Sequence, residues 1–103
     1  ALRAHLEGAG AGFSAVFAAT DEMAVGCVAA LGDAGLDVPR DVSVVGFDDM
    51  PEVGESLTTV RQDIAEVARV AVELLHEGLR GASVRDVRVP VRLVARGTTA
   101  ERR

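Results

Sequence analysis

Aromatic residues are almost missing from this sequence: three Phe, no Trp and no Tyr. A core must therefore be built from Val, Leu and Ala, with a little Ile and Met. Lysine is absent, and all eleven basic residues are arginine. Sixteen acidic residues outweigh them, giving a net charge of −5. An acidic surface repels phosphates, so this segment by itself is not expected to bind nucleic acid. The single cysteine, Cys27, excludes an internal disulfide and a thiolate zinc cluster, and it fits a reducing cytoplasm. No apolar run is long enough to cross a bilayer. No basic segment followed by an apolar one opens the chain, so no signal peptide is visible. The chain begins at Ala1 and reads as a piece of a longer protein. Catalytic signatures are also missing. There is no GxSxG, no HExxH and no Cys/His pairing, so the expectation is a protein that is not an enzyme, with no metal and no cofactor.

What remains is a globular composition, 49% hydrophobic and 26% charged, at a length suited to one small domain. Residues 1–7 read as the end of a helix, and Gly8 to Gly12 as a Gly-rich connector. That connector precedes a strand instead of following one, so it does not suit a phosphate loop. Ser14 to Ala19 reads as a short buried strand, apolar on both faces. Thr20 sits at a helix N-cap position, with Asp21 and Glu22 in the first turn, where negative charge suits the dipole. This helix runs to about Ala34, with Gly35 as its C′ residue and Ala24, Cys27, Val28 and Leu31 as its apolar stripe.

After a loop at 36–41, Val42 to Phe47 is the strongest strand, β-branched and nearly continuous. Asp48-Asp49-Met50-Pro51 ends it, and a short helical turn follows from Pro51. Leu57 to Val60 is another short strand. Ile64 to Leu79 is an amphipathic helix closed by Gly78 and Gly81, and Val87 to Val94 is a last strand interrupted by Pro90. Alternation of strands and helices predicts an α/β fold, a parallel sheet flanked by helices.

Ligands of open parallel sheets bind at the carboxyl ends of the strands. That rule selects Thr20 after the first strand, Asp48 after the second and Gln62 just beyond the third. A carboxylate accepts two hydroxyl donors and an amide both donates and accepts, which suits a polyhydroxylated or heterocyclic ligand. Each residue has an ordinary reading as well: Thr20 as a helix cap, Asp48 as a turn residue or cap, Gln62 as loop polarity. Asp48 and Asp49 together do not suggest a cation site. Neighbouring side chains diverge, and no further carboxylates sit at ligand spacing. His76 near a helix C-terminus fits the dipole, and His5 stands alone.

Four segments resemble the lactose-repressor/galactose-repressor family of transcription regulators. Phe17 to Gly26 (FAATDEMAVG) is similar to its ANDxMAxG segment, and Val38 to Asp49 (VPRDVSVVGFDD) to its VPxDVSVVGFDD segment. Leu57 to Asp63 (LTTVRQD) and Leu93 to Ala100 (LVARGTTA) are similar to two more. The family's asparagine falls at Thr20, where this sequence departs. The resemblance implies a partial periplasmic-binding-protein-like (type I) fold, with a sugar or related effector held between two lobes. It implies ligand contacts from Asp48 and Gln62, with Phe47 beside the site. Residues 1–62 would belong to the C-terminal lobe, 63–90 to a crossover helix of the N-terminal lobe, and 91–103 to the return strand and tail. It also implies a homodimer through the helix after Thr20 and the loop 50–56, hence Asp21, Val25, Val28, Met50 and Glu52. Operator DNA would be bound only through an N-terminal headpiece absent from this chain, in the cytoplasm. A periplasmic sugar-binding protein of a transport system is the alternative with the same fold.

Overall fold

The computed structural model describes residues 1–9 and 12–102. Gly10 and Ala11 of the expected connector, and Arg103 of the tail, lie outside the described residues. The elements in chain order are α1 (Leu2–Ala9), β1 (Ala15–Phe17), α2 (Asp21–Asp33), β2 (Ser43–Asp48), a 3₁₀ turn (Pro51–Val53), β3 (Thr58–Gln62), α3 (Ile64–Leu79) and β4 (Val91–Val94). The strands form one sheet in the order β1-β2-β3-β4, and β1 with β2 and β2 with β3 run parallel. The fold is α/β with a parallel sheet, as the alternation predicts.

Several boundaries differ from the sequence reading. β1 is only three residues long, and its Phe17 is 66% exposed instead of buried. β1 is an end strand of the described sheet, and a pattern of apolar residues does not reveal how many neighbours a strand has. β2 starts one residue late and runs through Asp48, while β3 continues to Gln62, so both polar residues close strands instead of following them. β4 begins only at Val91, directly after Pro90, which has no N–H to give a ladder. Gly78 lies inside α3; Gly81 alone, at φ +86°, stands beyond its end.

Two compact units make up the chain: Ala1–Arg61 with Leu93–Arg103, and Gln62–Arg92. The core of the first is Ala18, Ala24, Leu31, Val42, Val44 and Leu57. α2 supplies Ala24 and Leu31 from its inner stripe, while Cys27 and Val28 are half-buried beside them. Gly35, at φ +78°, lets the chain reverse after α2, and Leu36 N–H reaches back to the Leu31 carbonyl at 3.0 Å. The tail segment 96–99 is stitched to β2 and β3 by hydroxyls. The Thr98 Oγ1 donates to the Val44 carbonyl at 2.7 Å and accepts from Thr58 N–H at 2.9 Å. The Thr58 Oγ1 accepts from Arg96 N–H at 2.8 Å and shares a hydrogen bond with the Thr99 Oγ1 at 2.9 Å. Thr58 is thereby buried without an unsatisfied hydroxyl.

In the second unit, Asp63 caps α3 by accepting from Glu66 N–H at 3.0 Å. On the polar side, Arg69 bridges Glu66 at 2.6 Å and Glu73 at 2.8 Å, and Arg85 reaches Glu77 at 2.9 Å. No residue of α3 is buried; Ile64, Val72, Leu75 and Leu79 are each more than half exposed.

Candidate functional site

Parallel pairing brings the carboxyl ends of β1 and β2 side by side. Phe17 pairs with Val45, and one further backbone bond, Ala18 N–H to the Val45 carbonyl at 2.8 Å, carries the ladder to the start of α2. Thr20 follows at that end. Its φ of −140° and ψ of 160° are extended, and its Oγ1 accepts from Met23 N–H at 3.2 Å. It therefore caps α2, the ordinary role the sequence allowed, and stays half-buried. Asp48 is the last residue of β2, paired with Arg61, and Phe47 pairs with Val60; both are half-buried. Gln62 is the last residue of β3 and the first of the second unit.

The backbone at the end of β2 is unusual. Asp48 has φ +113° and Asp49 φ +61°, the left-handed region that residues other than glycine rarely enter. Such conformations cost on the order of 1–3 kcal/mol each and persist only where the surroundings hold them. Two carboxylates supply the hold. Asp49 is one; its side chain is only 10% exposed. Arg61 Nε donates to its Oδ2 at 2.5 Å and Arg96 Nη1 to its Oδ1 at 2.6 Å. The Arg96 hydrogen bond chiefly, and the Arg61 one after it, hold the Asp49 carboxyl below the usual carboxylate range, against desolvation. Arg96 is raised in turn, chiefly by the same hydrogen bond. A cavity of about 410 Å³ opens beside this pair of ion bridges, lined by Met50, Pro51, Gly54 and Glu55 together with the three charged residues.

Asp21 is the other carboxylate. Expected at a surface between two copies, it is instead turned inside, 2% exposed. One oxygen accepts from the Thr59 hydroxyl at 2.5 Å, the other from Met50 N–H at 2.7 Å. A carboxylate can be buried here because its oxygens replace lost water with protein donors. Gly46 makes room for it. A Cβ at position 46 would stand 2.5 Å from Asp21 Oδ1, 3.1 Å from Leu57 and 3.2 Å from Ala24. Of the other residues expected at such a surface, Val25, Met50 and Glu52 are exposed and Val28 is half-buried.

Sequence reasoning named Asp49 beside Asp48 but missed its partners Arg61 and Arg96, and it missed the inner role of Asp21. One signal was available: a glycine inside an otherwise β-branched strand marks a close approach, and Gly46 is that glycine. Among the described residues, no three or more His, Cys, Asp or Glu side chains come together as a metal site. The polar groups at the strand ends can accept and donate hydrogen bonds, which is the chemistry of binding.

The chain matches the periplasmic binding protein-like domain over residues 3–99. It is 44% identical to the HTH-type transcriptional regulator MalR of Streptomyces coelicolor over 93 residues, 84% of this chain and 27% of that protein. A lac repressor dimer bound to operator and the anti-inducer ONPF shares its fold with TM-score 0.85 and 34% identity, over 97% of this chain and 36% of the other. A LacI family transcriptional regulator from Lactobacillus casei with bound sucrose matches with TM-score 0.66 and 36% identity, over 82% of this chain and 33% of the other. The chain spans from just under a fifth to somewhat over a quarter of the length of curated relatives that it matches, 19% of one and 27% of another.

Proposed function

Because this chain belongs to the periplasmic binding protein-like domain family, in the form found in LacI/GalR-type regulators, we propose that it senses a small molecule within a DNA-binding transcription regulator. The observation that carries the reading is the placement of Thr20 and Asp48 at the carboxyl ends of two adjacent parallel strands, where such sheets take ligands. The Asp48 carboxylate would accept hydroxyl donors. Gln62, closing β3, would add an amide, and Phe47 an apolar wall. Thr20 is shorter than an asparagine and already engaged with Met23 N–H, so its share in ligand contact is the smallest. A sugar or related polyol fits this chemistry, and the sucrose held by the L. casei relative supports it.

Residues 1–62 with 91–103 are assigned to the C-terminal lobe and 63–90 to the N-terminal lobe. The ligand would act by favouring one lobe arrangement, which changes dimer geometry and the spacing of the DNA-binding headpieces of the intact regulator on operator DNA. No bond is made or broken. Val25, Val28, Met50 and Glu52 are the residues offered to the second copy; Asp21 supports them from inside. The cytoplasm is the compartment this role requires. The relatives named above are regulators, which favours this reading over a transport-system component.

Asp48→Ala in the intact regulator tests the assignment. A thermal-shift screen with mono- and disaccharides should stabilise the wild type by mass action and leave the variant unmoved. An unchanged response in Asp48→Ala overturns the site.

A further inference from the structure

Asp49 is a second acidic residue beside the proposed ligand contact, and the proposed function leaves it without a role. Each of its oxygens takes a different guanidinium, Oδ2 from Arg61 and Oδ1 from Arg96. Its carboxylate therefore cannot rotate without losing one of the two. The partners are themselves fixed. Arg61 is the β3 residue paired with Asp48. Arg96 also donates to the Leu57 carbonyl at 3.1 Å, and its backbone N–H is held by the Thr58 hydroxyl. On the far side of the turn, Met50 N–H is held by Asp21. The two left-handed residues thus sit between anchors on both sides. Arg61 is also the last residue before the chain leaves the first unit, and Arg96 follows its return at Leu93.

We propose that Asp49 is a positioning residue: through Arg61 and Arg96 it holds Asp48 in its left-handed conformation and ties that turn to both points where the chain leaves and re-enters the first unit. The inference rests on the reading of Asp48 as a ligand contact. A ligand pulling on Asp48 would then load both crossing segments through one carboxylate, and a change at either crossing would re-aim Asp48. Salt bridges add little to stability when exposed, but a carboxylate gripped on two oxygens adds orientation.

The test is the set of three-bond couplings about φ at Asp48 and Asp49, measured by NMR on the full chain, for wild type, Asp49→Asn, Arg61→Gln and Arg96→Lys. Asp49→Asn should move the Asp48 couplings away from positive φ while the amide shifts of Val44 and Val45 stay in place. Arg96→Lys, which keeps one charged donor, should retain most of the wild-type pattern. Unchanged Asp48 couplings in Asp49→Asn and Arg61→Gln overturn the proposal, as do Val44 and Val45 amide shifts that move as far as those of Asp48 in variants that stay folded. Should Asp49→Asn fail to fold, Arg61→Gln carries the same decision. In parallel, sucrose is titrated into the intact regulator. Asp49→Asn should need about tenfold more sugar than the wild type, the cost of one lost orienting hydrogen bond. Wild-type affinity in Asp49→Asn beside lost binding in Asp48→Ala overturns the positioning role. If Asp48→Ala binds as well as wild type, or sucrose binds neither, the couplings alone decide whether Asp49 sets the turn, and the former result counts against the ligand reading separately.

Discussion

Leu31 in α2 has no exposed surface, whereas Leu75 and Leu79 in α3 are 61% and 77% exposed. Both helices show an apolar stripe at helical spacing, and the stripe of α3 is the more regular in the sequence. The difference lies in what each stripe meets. α2 lies on β2, where Val44 is buried and Gly46 allows close approach, with Val42 buried just before the strand. α3 belongs to a unit of 31 residues, 62–92, that holds no sheet-and-helix layer of its own comparable to the first. An amphipathic pattern states that a helix has a face to bury; it does not state against what.

Substitutions sharpen this contrast most directly. Leu31→Ala should cost about 2–5 kcal/mol by denaturant unfolding, because a buried leucine leaves a cavity. Leu75→Ala should stay within about 0.5 kcal/mol, the range of exposed positions. Equal losses at the two sites would erase the distinction between the units. Gly46→Ala should cost about 1–3 kcal/mol, since its methyl would press on Asp21, Leu57 and Ala24. Asp21→Ala should fall in the same range by stranding the Thr59 hydroxyl and Met50 N–H. A Gly46→Ala protein as stable as wild type would show that α2 can move away at no cost.

A third test addresses the exposed face. Sedimentation of the chain at rising concentration should show self-association, and Leu75→Glu should weaken it about tenfold by placing charge on that face. A monomer at every concentration would contradict this expectation. The smallest effect concerns pH. The folded Asp49 carboxyl lies below its unfolded range, so its contribution is fully present above that range, roughly pH 4. It is lost as pH falls through the depressed folded value. Stability of the wild type should thus decline more steeply than that of Asp49→Asn below about pH 4. Parallel acid limbs would mean that the two arginines do not hold this carboxyl in solution.

Much of the architecture was legible beforehand. The Thr20 cap, the acidic first turn, Gly35 beyond α2 and the β-branched run at 42–47 are local features, and local backbone chemistry settles them. Asp48 and Gln62 were legible for a related reason: strand ends can be located from composition, and the parallel-sheet rule then selects the polar residues there. The strand limits were less so. β3 reaches Gln62 because its partner β2 continues to Asp48, and that depends on pairing between segments far apart in the chain. Asp21 was misplaced because its position in a first helical turn suits solvent equally well. Only the approach of Thr59, 38 residues away, and of Met50 turned it inward.

By itself, the sequence determined the order of helices and strands, the parallel α/β class, the Thr20 cap and the polar residues at the strand ends. Each of these follows from short-range rules of backbone geometry and hydrophobic period. The tertiary structure alone decided that Asp49 would be gripped by Arg61 and Arg96, that Asp21 would be buried under Gly46, and that the Asp48 backbone would be held at positive φ. Those outcomes need charges and hydroxyls from distant segments to meet within hydrogen-bond distance. No spacing along the chain encodes that meeting; the register of the sheet does.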